Sequence, residues 1–154
     1  MRIETTIVAG LTACLLLEAS AQAAESRDQC VRSQEPAVLT RCADSRVYDP
    51  CDSADGKWQH AQCATLRQST ADQSLKDVEH EIQLRLKRDG SAKLQNDFQE
   101  SQRLWLAYRA HHCAFTDSVA DSAEFNGSSY FHLRYCDARL TQARALDLRA
   151  LLSP

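Results

Sequence analysis

The sequence predicts an all-α fold: three long helices in an antiparallel bundle stapled by disulfides, preceded by an irregular cysteine-containing extension. Three observations predict it. Residues 57–89, 91–126 and 128–153 contain neither glycine nor proline, and punctuation confined to Gly56, Gly90 and Gly127 suits long helices joined by short turns. Apolar residues inside those stretches recur every three or four positions. β-branched residues never alternate over a useful length, so a strand pattern is lacking.

The chain opens on a segment with the character of an export signal. Arg2 starts it, an apolar run follows from Ile7 to Leu17, and Ala21-Gln22-Ala23 is an A-x-A cleavage site. The run is shorter than the roughly 20 apolar residues that span a bilayer. A lipoprotein-like Leu11-Thr12-Ala13-Cys14 is the alternative, disfavoured by the apolar Leu15-Leu16-Leu17 behind it. The expected organisation is therefore residues 1–23 as signal peptide, 24–50 as the extension and 51–154 as a helical domain in a periplasmic or secreted protein. Taking residues 1–23 from 154 leaves 131, enough for one domain with a modest core. Removing Arg2, Glu4 and Glu18 changes 18 basic and 21 acidic residues to 17 and 19, a balance that argues against nucleic-acid binding.

The extension is polar and holds Pro36 and Pro50, with no sustained apolar stripe. The first long segment carries Ala71, Leu75, Val78, Ile82 and Leu86 on one face, with Arg85, Lys87 and Arg88 before Gly90 to suit the helix dipole and a glycine cap. The second carries Leu94, Phe98, Ser101, Trp105, Tyr108, His112, Phe115 and Val119, which reads as a core stripe with His112 as a hydrogen-bonded core histidine. Gln102, Arg109 and Cys113 line one flank of it. The third carries Leu133, Cys136, Leu140, Ala143 and Leu151 on a face, with Arg144 and Asp147 close by. A buried charge needs a partner, and Asp72 is the candidate for Arg144.

Without Cys14, six cysteines remain: Cys30, Cys42, Cys51, Cys63, Cys113 and Cys136. In an oxidising compartment an even count reads as disulfides. Cys113 and Cys136 lie about equally far from a turn near residues 121–128 and so pair across a hairpin. Cys30–Cys42 is the local pair, which leaves Cys51–Cys63. That last bond requires the first long helix to start after Gly56 or break near it, because twelve helical positions separate two side chains by about 18 Å. Other connectivities stay open.

The chemistry-bearing residues are scattered. His60, His80, His111, His112 and His132 form no HExxH, no GxSxG or phosphate-cradling glycine loop appears, and no CxxC accompanies Cys113. Neither an enzyme nor a bound metal or other cofactor is expected.

Phe98-x2-Ser101-Gln102-x2-Trp105-x2-Tyr108-Arg109-x3-Cys113, then Asn126-Gly127-Ser128, then Cys136-x3-Leu140-Thr141-x2-Arg144-x3-Leu148, resembles the LprI-type lysozyme inhibitor domain. Cys63-x8-Asp72-x2-Leu75 matches its start, so the resemblance covers roughly residues 51–152. Lys76 stands where family members often have asparagine, and Asn126-Gly127 where they often have paired glycines. The resemblance implies a helical envelope protein whose partner is lysozyme, with Asp72, Gln102, Trp105, Tyr108, Arg109, Thr141 and Arg144 as the family motif. The alternative is an envelope structural or interaction domain without lysozyme activity, bound to another envelope protein. An exposed Arg109 favours a contact face there, whereas a buried and paired one makes the motif architectural; alignment with the stripe's edge favours the second.

The candidate binding surface is the turn from Asp121 to Phe131, with Phe125, Asn126, Ser128, Ser129 and Tyr130 as its central residues. Aromatic anchors with a polar rim are what interfaces use. Lysozyme works with two carboxyl groups in a sugar-binding cleft, so a loop that fills the cleft and hydrogen-bonds to them inhibits. The competing reading has Phe125 and Phe131 tucked beneath the loop to close the core.

Overall fold

A computed structural model describes residues 25–52, 56–121 and 129–153, with side chains in the last stretch described from Phe131 onward. The expected signal peptide and the turn residues Phe125, Asn126 and Ser128 lie outside the described residues, as do the side chains of Ser129 and Tyr130.

The described residues are mostly helical and include no strand. Among the described residues there are five helices, not three: α1 (Arg27–Arg32), α2 (Pro36–Asp44), α3 (Lys57–Asp89), α4 (Ala92–Ala120) and α5 (Ser129–Ala150). The two short ones correct the expectation of an irregular extension. Local chemistry starts them. Ser26 caps α1 by accepting from the Gln29 amide at 3.3 Å, and Pro36 opens α2 where a missing N–H costs nothing. Helices this short do not persist alone; here the Cys30–Cys42 bond joins them, with Cα atoms 6.0 Å apart.

Both then close over the start of α3. Gln62, wholly buried, donates to the Cys30, Val31 and Ser33 carbonyls and accepts from the Tyr48 hydroxyl at 2.7 Å. Trp58 Nε1 donates to the Val31 carbonyl at 2.7 Å. Residues Ala61 to Leu66 are consequently buried on every side of the helix. Burial also raises the Tyr48 pKa, with Asp49 adding to the effect against the opposing charge of Arg27.

α3 begins at Lys57, after Gly56, which leaves Cys51 outside the helix and able to reach Cys63 with a Cα separation of 4.9 Å. Gly90 ends it at φ 69°, a left-handed conformation that glycine adopts without strain. Ser91 caps α4 at once by accepting from the Leu94 amide. Asp72–Arg109, Glu79–Gln102 and the Leu86 carbonyl with Gln95 pair these two helices in opposite directions.

α5 packs chiefly against α3, and α4 lies over their junction, touching α5 more than α3. The core is Leu75, Val78, Ile82, Ala145 and Leu148, flanked by Leu86, Phe98, Trp105 and Leu152. Each large aliphatic side chain there contributes roughly 1.5–3 kcal/mol of hydrophobic stabilisation. The α3 stripe is thus placed as its periodicity implied, except that Leu86 is only partly buried.

The other two stripes need correction. On α4 only Gln102 and Cys113 are buried, while Leu94, Tyr108 and Phe115 are 49%, 54% and 67% exposed. On α5 the buried line is Cys136, Ala138, Thr141, Ala145 and Leu148, while Leu133 and, just beyond the helix, Leu151 are exposed. Periodicity identified an apolar face on each helix, but polar pairing and a disulfide decide which line faces inward. No helix among the described residues is long and apolar enough to cross a membrane.

Candidate functional site

Three helices bring polar residues seven positions apart to one seam: Asp72 and Glu79 from α3, Gln102 and Arg109 from α4, Asp137 and Arg144 from α5. Seven residues are about two helical turns, so each pair projects from one side of its helix at two levels. At the first level Arg109 Nη1 donates to Thr141 Oγ1 at 2.6 Å and lies 3.5 Å from Asp72 Oδ1. Its Nε is 3.8 Å from Asp137 Oδ1, and its guanidinium carbon sits 5.0 Å from the centroid of the Trp105 ring. A cation over an indole face adds attraction to the ion pairs.

At the second level Gln102 bridges. Its amide nitrogen donates to Glu79, and its carbonyl oxygen accepts from Arg144 Nε at 2.9 Å. Arg144 Nη2 also donates to Ser101 Oγ at 2.8 Å. Asp72 therefore pairs with Arg109, not with Arg144 as the sequence suggested. Arg144 stands level with Gln102, about 10 Å along α4 from Arg109, so its contacts there are with Gln102 and Ser101.

The seam is half-buried, and it holds three carboxylates and two guanidinium groups. Arg109 retains 21% side-chain exposure beside two carboxylates. Burial pushes the Asp137 carboxyl up, Arg109 pulls it back, and Asp72 pushes it up again. Asp72, Gln102, Trp105, Arg109, Thr141 and Arg144 are thus brought together as an architectural lock. Tyr108 is not part of it. Exposed, it stacks on His112 with ring centroids 5.4 Å apart, so the half-buried His112 is no core histidine. Sequence reasoning missed Glu79, Asp137 and Ser101 as partners, though the seven-residue spacing shared by three helices was there to be read.

Beyond the seam, Cys113 and Cys136 join α4 to α5 with Cα atoms 5.6 Å apart. Phe115, Thr116 and Leu133 lie within three residues of this bond, and the α4–α5 connection begins eight residues after Cys113, at Asp121. Phe115 and Leu133 are 67% and 40% exposed there. Exposed apolar side chains therefore flank this covalent bond. Among the described residues no three His, Cys, Asp or Glu side chains converge to hold a metal.

An all-helical, disulfide-stapled domain locked by a three-helix polar seam is the class these features define. Residues 51–148 match the family model described as Lysozyme inhibitor LprI. The match spans well over half of the chain, and the chain belongs to that family. No curated protein and no solved structure matches it.

Proposed function

We propose that this protein, exported by residues 1–23 and folded as a 51–154 domain with a 24–50 extension, binds lysozyme and inhibits it. Family membership is the observation that carries the reading. The contact surface is the disulfide-stapled end of α4 and α5: Tyr108, Phe115 and Leu133 together with Phe125, Asn126 and Ser128 of the connection and Ser129 and Tyr130 at the start of α5. The exposure of the first three supports it, as does the architectural use of the polar motif, which leaves Gln102, Arg109 and Arg144 committed to contacts between the helices. Periplasmic or extracellular disulfide formation fits the three cysteine pairs.

Binding is tested by titrating the oxidised protein against immobilised lysozymes of several classes. Alanine at Phe125, Ser129 and Tyr130 abolishes binding while helical content stays unchanged; undiminished binding by that variant overturns the assignment of the surface.

A second reading is supported by the apolar flank of α4, where Leu94 and Leu104 are exposed as well as Tyr108 and Phe115. It is an envelope interaction domain without lysozyme activity. Retention of an envelope protein by the wild-type chain but not by a Leu104→Ser, Tyr108→Ser variant, with no lysozyme bound, favours it.

A further inference from the structure

On the side of the α3–α5 junction that α4 leaves uncovered there is a cavity of about 380 Å³. Its floor is apolar and made of small groups: Leu66 and Ala71 from α3, Ala138 from α5, and Cys51 of the disulfide. Alanines on both helices leave the space that larger residues fill elsewhere along the junction, where Leu75, Val78 and Leu148 pack. Arg67 and Arg139 stand on its two walls, and no acidic side chain among the described residues lines it. Neither arginine has a carboxylate partner among the described residues, whereas Arg41, Arg85, Arg103 and Arg109 each do. Arg67 is held 5.6 Å from the centroid of the Tyr135 ring, and the Tyr135 hydroxyl donates to the His60 carbonyl at 3.4 Å. The cation therefore sits on a placed aromatic surface. In a chain with net charge −3, two uncompensated guanidinium groups beside an apolar hollow are a local reversal of sign.

We propose that this cavity binds a small amphipathic carboxylate, with its apolar body on the Leu66–Ala71–Ala138 floor and its carboxylate between Arg67 and Arg139. A guanidinium is suited to the carboxylate by its planar fork of donors, and apolar burial supplies the remaining attraction. Thr70 and Gln142 add polar groups at the rim. The site does not depend on the inhibitor reading, since α4 contributes no residue to it.

The test is a titration of the oxidised protein with hydrocinnamate, followed by amide NMR shifts, with neutral hydrocinnamide as control. The carboxylate shifts resonances of residues 66–71 and 135–142, and the amide binds about tenfold more weakly, as does the carboxylate to an Arg67→Gln, Arg139→Gln variant. Both arginines are exposed, so that variant keeps its fold. Thr70→Phe, which narrows the cavity from an exposed wall position, abolishes the shifts without changing charge. Equal affinity for acid and amide, shifts that map elsewhere, or no shift at about 10 mM ligand overturns the proposal.

Discussion

Replacing Arg109 by methionine keeps most of its length but takes the donor from Thr141 and the positive charge from Asp72 and Asp137. Breaking a fully buried pair costs about 3–5 kcal/mol; with 21% of the arginine exposed, R109M is expected to cost about 2 kcal/mol in urea unfolding. Thr141→Val, at a wholly buried position, removes one hydrogen bond and is expected to cost about 1 kcal/mol. Asp137 has a pH signature. Its folded pKa is raised, burial being the largest cause, so the native state holds the proton more tightly than the unfolded chain. Stability from this group is then full at low pH and falls as pH rises from the ordinary aspartate range through the folded value. The stability of D137N relative to wild type is therefore expected to increase between about pH 4 and pH 7, and a flat difference contradicts the assignment. At this scale the sequence expected partners for Arg144 and Asp147; Arg144 meets Gln102 and Ser101, Asp147 is exposed, and Asp72 meets Arg109 instead. It mispaired Asp72 because a single helical wheel says nothing about the level at which two helices meet. Gln62 was illegible for another reason: its acceptors are backbone carbonyls of α1 and its end, which carry no side-chain signature.

α3 shows when an element is legible and α4 shows when it is not. The α3 stripe is covered by α5, so apolar periodicity and burial coincide. On α4 the same periodicity is present, yet the helix docks along Gln102, Arg109 and Cys113, which keeps Phe98 and Trp105 at the core edge and turns Tyr108 and Phe115 outward. A sequence pattern identifies an apolar face, but the docking line here comes from polar pairs and a covalent bond. Helices α1 and α2, with 6 and 9 residues, are too short for a sustained pattern, and α2 shows only Leu39 and Cys42 on its buried side. Because α4 has modest packing of its own, the Cys113–Cys136 bond carries weight. Closing a loop with a sequence separation of 23, it stabilises the fold by about 3 kcal/mol on chain-entropy grounds. The Cys113→Ser, Cys136→Ser variant is expected to unfold at correspondingly lower denaturant and to lose lysozyme binding before it loses helical signal. In contrast, the exposed Tyr108→Ser, Phe115→Ser pair is expected to leave unfolding within about 0.5 kcal/mol per substitution while weakening binding.

For the molecule as a whole, the division of labour is between an α3–α5 core, a polar seam that fixes α4, and a stapled α4–α5 end that we propose as the contact surface. Six cysteines, helical punctuation and the family motif made the class readable from sequence. The proposed contact surface was less readable, since the composition of residues 121–131 fits either an interface or a core-closing turn. The measurement that tests the account most directly is cell-wall lysis by lysozymes of several classes in the presence of the oxidised protein. Dose-dependent inhibition of at least one class, lost when Phe125, Ser129 and Tyr130 are alanine and retained in R67Q, R139Q, is the predicted result. No inhibition of any class at concentrations well above that of the enzyme contradicts it.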